Sequence, residues 1–134
     1  MQTASWYTKL PDTSQVIGIS RGTPRGMAKG YRQYKALAPG PWFKTATTEE
    51  YIELYFTEIL GRLDPVKVEA DLMTMAGGKT PTLVCYEKPG GADWCHRGMV
   101  SLWLHQHLGI EVTEYGHPGF GEQHVMLPPS LRRP

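Results

Sequence analysis

The chain has 134 residues, 40% of them apolar, and its 14 basic and 13 acidic side chains leave a formal charge of +1. That length supports one hydrophobic core without a disulfide or a metal, and a near-neutral charge does not by itself argue for nucleic acid or membrane as a partner. No apolar run approaches the roughly 18 residues a membrane-spanning helix needs, and the opening MQTASWYTKL lacks the basic-then-apolar layout of a secretory leader. The expected compartment is the cytoplasm, where the two cysteines read as free thiols rather than a bridge.

The overall balance conceals an asymmetry. From Thr13 to Thr48 there is no acidic residue, whereas Arg21, Arg25, Lys29, Arg32, Lys35 and Lys44 all fall there. The next stretch reverses sign through Glu49, Glu50, Glu53, Glu58, Asp64, Glu69 and Asp71, so a positive and a negative face are expected.

Taken in order, Trp6, Tyr7 and Thr8 suggest a short edge strand over Ser5 to Leu10, stopped by Pro11-Asp12. Val16 to Ile19 is a second strand that hands over to the basic, glycine-containing loop Ser20 to Gly26, the place where open α/β sheets carry ligand groups. Met27 to Phe43 shows no period; a loop this long inside a compact domain suggests binding or closure, or else a surface excursion pinned by Trp42 and Phe43.

Thr47 with Glu50 fits a capping box, and Ile52, Tyr55, Phe56, Ile59, Leu60 and Leu63 follow at helical spacing, which predicts a helix over Thr48 to Leu60. Asp64-Pro65 starts another, with Val68, Leu72 and Met75 inward and Gly77-Gly78 at its end.

Leu83 to Tyr86 reads as a buried strand, ended by Pro89, Gly90 and Gly91. Asp93 is the predicted N-cap of a helix whose first turn holds Trp94, Cys95 and His96 and whose inner stripe is Met99, Val100, Trp103, Leu104 and Leu108, closed by Gly109. With alternation over Glu111 to Tyr115 this makes a strand–helix–strand unit. Residues 116–134, with four Pro and three Gly and no period, read as an irregular tail wrapped on or hanging from the domain. The expected architecture is a single compact three-layer α/β domain with a mainly parallel, Rossmann-like sheet.

The strand-to-helix junction carries the chemistry. A thiol at Cys95, in the first turn of a helix and beside Arg97, suits a thiolate nucleophile or an anion contact, with His96 as proton partner. The bland alternative is a small buried residue in the seam. Cys85, inside the apolar run, reads as core or at most as a partner thiol. Glu87 just after the strand suits a general base, or an ion pair with Arg97 or Arg21 that orients the loop. If the two strands are parallel neighbours, Ser20 and Arg21 meet the Cys85 to Glu87 end, and Arg21, Arg25 and Arg97 converge on one anion, a phosphate rather than a carboxylate.

Metal is not expected. His105 and His107 are two apart on a helix and diverge by roughly 200°, and no C-x-x-C or H-E-x-x-H spacing occurs. A set of Cys85, Cys95, His96 and a tail histidine, His117 or His124, is the weaker alternative. No Walker-type G-x-x-x-x-G-K-[ST] and no G-x-G-x-x-G follow a strand, and no resident cofactor is predicted.

The segments IGISRGTPRG, YKALAPGPWF, EEYIELYFTEIL and LVCYEKPGGADWCHRGMVSLWL together resemble the bacterial family known as domain of unknown function 488 over about Val16 to Tyr115. The specific part is C-x-E at Cys85-Tyr86-Glu87 and C-H-R at Cys95-His96-Arg97. The resemblance implies a compact three-layer α/β fold and a shared polar site. The tail lies outside it.

Two functions are expected as rivals, beside a third option, a structural interaction protein with no ligand, whose polar cluster would be fully occupied by internal ion pairs. One is a site for a phosphate-bearing ligand, a nucleotide or nucleic-acid end, held by Ser20, Arg21, Arg25 and Arg97, with Cys95, Glu87 and His96 catalysing a hydrolase or transferase reaction. The other is a non-catalytic module that engages nucleic acid through the basic strip from Arg21 to Lys44 with Tyr31, Tyr34, Trp42 and Phe43.

Overall fold

A computed structural model describes residues 1–134. Five strands, β1 (Gln2–Ser5), β2 (Ser14–Gly18), β3 (Arg32–Gln33), β4 (Thr80–Cys85) and β5 (Thr113–Glu114), form one sheet in the order β3-β2-β4-β1-β5. Every neighbouring pair is parallel. Three helices, α1 (Thr48–Leu54), α2 (Pro65–Ala76) and α3 (His96–Leu108), complete an α/β fold of the expected class.

Alternation sorts the strand side chains between two faces. Ile17 and Leu83, paired across β2 and β4, enter the main core with Tyr55, Val68, Leu72, Met99 and Leu104. Full burial of one such aliphatic side chain contributes roughly 2–3 kcal/mol. Ala4, paired with Val84, faces the other way with Trp6, against Val16, Leu10, Met27 and Tyr31. The helices therefore cover one face, and the layer on the second face is built from loops. Gly18 permits this second layer: a Cβ there would stand 2.4 Å from the Trp6 ring.

The first strand differs from expectation. It spans Gln2–Ser5 rather than Ser5 to Leu10, and it lies inside the sheet between β4 and β5, not at an edge. Its polar residues hid this, because their partners come from far along the chain. Thr3 donates to the Glu114 carboxylate at 2.8 Å, and Ser5 donates to the Tyr86 carbonyl at 3.3 Å.

Both predicted helix starts at Thr47 and Asp64 are present. Thr47 and Glu50 make the reciprocal capping box, and Asp64 accepts from the Val66 N–H with Pro65 at the first position. The first helix is not α-helical to Leu60; after Leu54 it widens into a π turn over Tyr55–Ile59 and tightens over Leu60–Arg62. The wider turn lets Tyr55 and Leu60, five residues apart, both reach full burial.

The helix of the Cys-His-Arg motif begins two residues later than predicted. Cys95, not Asp93, is the N-cap, in an extended conformation with φ −143° and ψ 148°. The tail sets this boundary, since the Cys95 N–H donates to the Met126 carbonyl at 2.9 Å.

Residues 116–134 wrap on the domain. Gly121, His124, Met126 and Leu127 are buried; they pack along α3 and also reach the sheet, His124 standing 2.7 Å from Thr3 of β1. This explains why α3 is buried all round from His96 to Leu104 instead of along one stripe. The contact runs backbone to backbone at Gly98, where a Cβ would lie 2.5 Å from the Leu127 nitrogen. The strand–helix–strand unit is present as β4, α3 and β5, with β1 between its two strands.

Candidate functional site

Strands β2 and β4 are parallel neighbours in the register Gly18 to Val84, so the loops that follow them leave from the same end of the sheet. From there the chain runs toward β3 on one side and through α3 toward β5 on the other. Such divergence opens a crevice at the carboxyl ends of the strands. A cleft of about 480 Å³ occupies that place.

Its floor is the junction singled out from the sequence: Cys85, Cys95 and His96 all face it. Ser20 and Arg21 come from the loop after β2, and Glu87 from the loop after β4, as the parallel pairing requires. The aperiodic stretch and its continuation supply a further wall through Phe43 and Lys44, while Tyr51 of α1 and Trp94 supply an aromatic one. Tyr51 meets Trp94 edge to face at 4.8 Å and Trp42 at 5.0 Å. Burial, and next the Glu87 carboxylate, push the Tyr51 hydroxyl well above its ordinary pKa, so it stays a neutral donor.

The two sulfurs are joined: Cys85 and Cys95 form a disulfide. This corrects the expectation of free thiols, and its physical reason is topological. The loop after β4 returns the chain to the end of that strand at the start of α3, the Met126 carbonyl holds the Cys95 N–H there, and Met126 and Val125 close over both residues.

His96 is the best-defined group of the site. Its Nε2 donates to the Ile19 carbonyl at 2.8 Å, which leaves Nδ1 as the unprotonated nitrogen, 3.6 Å from Cys95 Sγ. Burial lowers its pKa to about 4, opposed by the Ile19 hydrogen bond and assisted by the Arg97 charge. A neutral imidazole with a free lone pair beside sulfur can accept a thiol proton.

Arg97 is not an anion clamp. It is fully buried, grips both Glu114 oxygens at 2.8 Å through Nε and Nη2, and donates to the Glu87 carbonyl at 2.7 Å and to Cys85 Sγ at 3.1 Å. A guanidinium so engaged has turned its donors inward. Arg25 is exposed and does not face the cleft, so the expected convergence of Arg21, Arg25 and Arg97 does not occur. The cations at the cleft are Arg21 and Lys44. Arg21 donates to the Pro39 carbonyl at 3.0 Å and lies over the Phe43 ring at 5.4 Å, which fixes its position on the wall.

Glu87 keeps its carboxylate clear of Arg97 and Arg21; only its backbone carbonyl is taken. The Ser20 hydroxyl is used internally, accepting from Trp6 Nε1 at 2.9 Å and donating to the Gly22 carbonyl at 2.6 Å. In the basic strip, Tyr31 packs on Trp6 and Tyr34 donates to Asp71 at 2.7 Å, so those rings serve the fold.

Sequence reasoning missed the buried network behind the floor. His124 Nδ1 accepts from the Met126 N–H at 3.0 Å, which puts the ring proton on Nε2, 2.7 Å from Thr3 Oγ1. Thr3 in turn donates to Glu114. Burial lowers the His124 pKa to about 4, and the Glu114 charge opposes the shift. The available signal was Glu114 itself, which shares the inward face with Val112 in an alternating strand, where an acid needs a buried partner. Cys85, Cys95 and His96 also bring their donor atoms within 4.8 Å of one another, without the tail histidines; His124 is taken by Thr3 and Met126.

No helix is long and apolar enough to cross a membrane. No protein-family model matches the chain, and neither curated proteins nor solved structures yield a match.

Proposed function

We propose that the cleft binds a phosphate-bearing ligand of nucleotide type and that, in the reduced protein, Cys95 attacks it in a hydrolase or transferase reaction. Arg21 and Lys44 hold the anion, and the wall of Phe43, Tyr51 and Trp94 offers apolar and aromatic surface to a planar base. His96 Nδ1 takes the Cys95 proton, and Glu87 serves as a second proton acceptor or grips a sugar hydroxyl. The likeness to domain of unknown function 488 in C-x-E and C-H-R fits this assignment, because Cys85, Glu87, Cys95 and His96 of the two motifs line the cleft.

The observation that carries the reading is the fixed imidazole: one nitrogen anchored on Ile19, the other turned to Cys95 Sγ, on the floor of a cleft with two cations on its wall. The test is calorimetric titration of the dithiothreitol-reduced chain with nucleoside monophosphates, nucleosides and inorganic phosphate, followed by product analysis. Nucleotides are expected to bind better than either part, and Cys95→Ala to bind them without turnover. Full turnover by Cys95→Ala removes the nucleophile, and equal affinity for nucleotide and nucleoside removes the anion site.

A further inference from the structure

The disulfide lies where three independent features meet. Cys95 caps the start of a 13-residue helix, whose unpaired N–H groups favour negative charge on its sulfur. His96 Nδ1, unprotonated, stands 3.6 Å from that sulfur. Cys85 has a different neighbour: Arg97 Nη1 donates to its sulfur at 3.1 Å, and the bidentate grip of Glu114 keeps the guanidinium there. Arg97 does not line the cleft, whereas His96 and both cysteines do, each cysteine almost fully buried at 1% and 2% exposure, so the cation and the imidazole approach the disulfide at different sulfurs. The two sulfurs are chemically unequal.

We propose that Cys85 and Cys95 are a working dithiol–disulfide centre that exchanges with low-molecular-weight dithiols or disulfides entering the cleft, with attack at Cys95 and departure at Cys85. In the reducing direction, an incoming thiolate attacks Cys95 Sγ. A mixed disulfide forms, the Cys85–Cys95 bond breaks, and its electron pair leaves on Cys85 Sγ, where the Arg97 guanidinium stabilises the charge. The second thiol of the dithiol then attacks its own sulfur in the mixed disulfide and releases Cys95. Two electrons and two protons pass from the dithiol to the protein, and the cyclic disulfide departs. The oxidising direction is the reverse, with His96 Nδ1 accepting the Cys95 proton.

This activity goes beyond the ligand reading and needs no nucleotide, although the bonded state necessarily withholds Cys95 from any other chemistry. The reduced native chain, freed of reductant, is mixed with the aromatic disulfide dithionitrobenzoate, and released thiolate is followed by absorbance while intact mass reports retained label. Wild type is expected to release two equivalents and keep no label, because Cys85 resolves the mixed disulfide on Cys95. Cys85→Ser is expected to release one equivalent and keep the label on Cys95. Cys95→Ser is expected to react at least about tenfold more slowly until denatured. Equal rates for the two single variants, stable double labelling of wild type, or thiols that react only after denaturation overturn the proposal. Nucleotide affinity is untouched by all of these outcomes and decides the anion site by itself; thiols inert in the folded chain would remove Cys95 as nucleophile in both readings and leave that anion site standing.

Discussion

Both carboxylate oxygens of Glu114 lie 2.8 Å from Arg97, one against Nε and one against Nη2, with both side chains essentially inaccessible to solvent. Thr3 donates to the same carboxylate and His124 closes the chain of contacts through Thr3, so β1, β5, α3 and the tail meet at one buried acid. The pair compensates two charges that would otherwise be costly to bury. It also determines where the Arg97 charge stands relative to Cys85.

Removing the acid alone should therefore be severe. Glu114→Ala is expected to lose about 3–5 kcal/mol of unfolding free energy, because Arg97 is left charged and unpaired. Denaturant titration at neutral pH measures it. A loss below about 1 kcal/mol would mean that water reaches the guanidinium and that the pair does not organise the core.

Stability should fall with acid. His96 and His124 have folded pKa values near 4, below the 6.5 of an unperturbed imidazole. The unfolded chain thus binds more protons between those values, so stability is full above about pH 6.5 and declines as pH drops toward 4. Unfolding near pH 5 is expected to take up close to two protons from these residues, read from the pH dependence of the denaturant midpoint. His124→Gln should roughly halve that slope; an unchanged slope would assign it to other groups.

The tail's contact with α3 is testable at Gly98. Its substitution by Ala places a methyl against the backbone of Met126 and Leu127, neither of which can rotate away. Overpacking of this kind costs about 1–3 kcal/mol. Thermal unfolding of Gly98→Ala should show it, together with faster hydrogen exchange in residues 121–127. Exchange unchanged from wild type would mean that the tail is held elsewhere.

The two loop arginines should separate in ligand binding. Arg21→Ala removes a cation from the cleft wall and is expected to weaken nucleotide binding about tenfold, the worth of one charge-assisted contact. Arg25→Ala, outside the cleft, should leave affinity within about twofold. Equal losses for both would shift the contact from the cleft to the exposed basic strip.

Local rules were enough for much of the fold. The Thr47 capping box, the Asp64-Pro65 start, the apolar run of β4 and the order strand, helix, strand are set by neighbouring residues, and all are present. Val16 to Ile19 handing over to a basic loop beside Cys85 to Glu87 was also legible, because parallel α/β sheets gather such ends. The position of β1 inside the sheet was not, since Thr3 and Ser5 look like surface residues until Glu114 and the Tyr86 carbonyl, about eighty or more positions away, receive their hydroxyls. The same holds for Arg97, whose guanidinium is equally suited to a phosphate in solvent or a carboxylate in the core. Spacing along the chain specifies periodicity and caps, which depend on a few adjacent residues. Which charges pair, which sulfurs touch and which face the tail covers depend on distances across the fold, and those exist only once the sheet has closed over its partners.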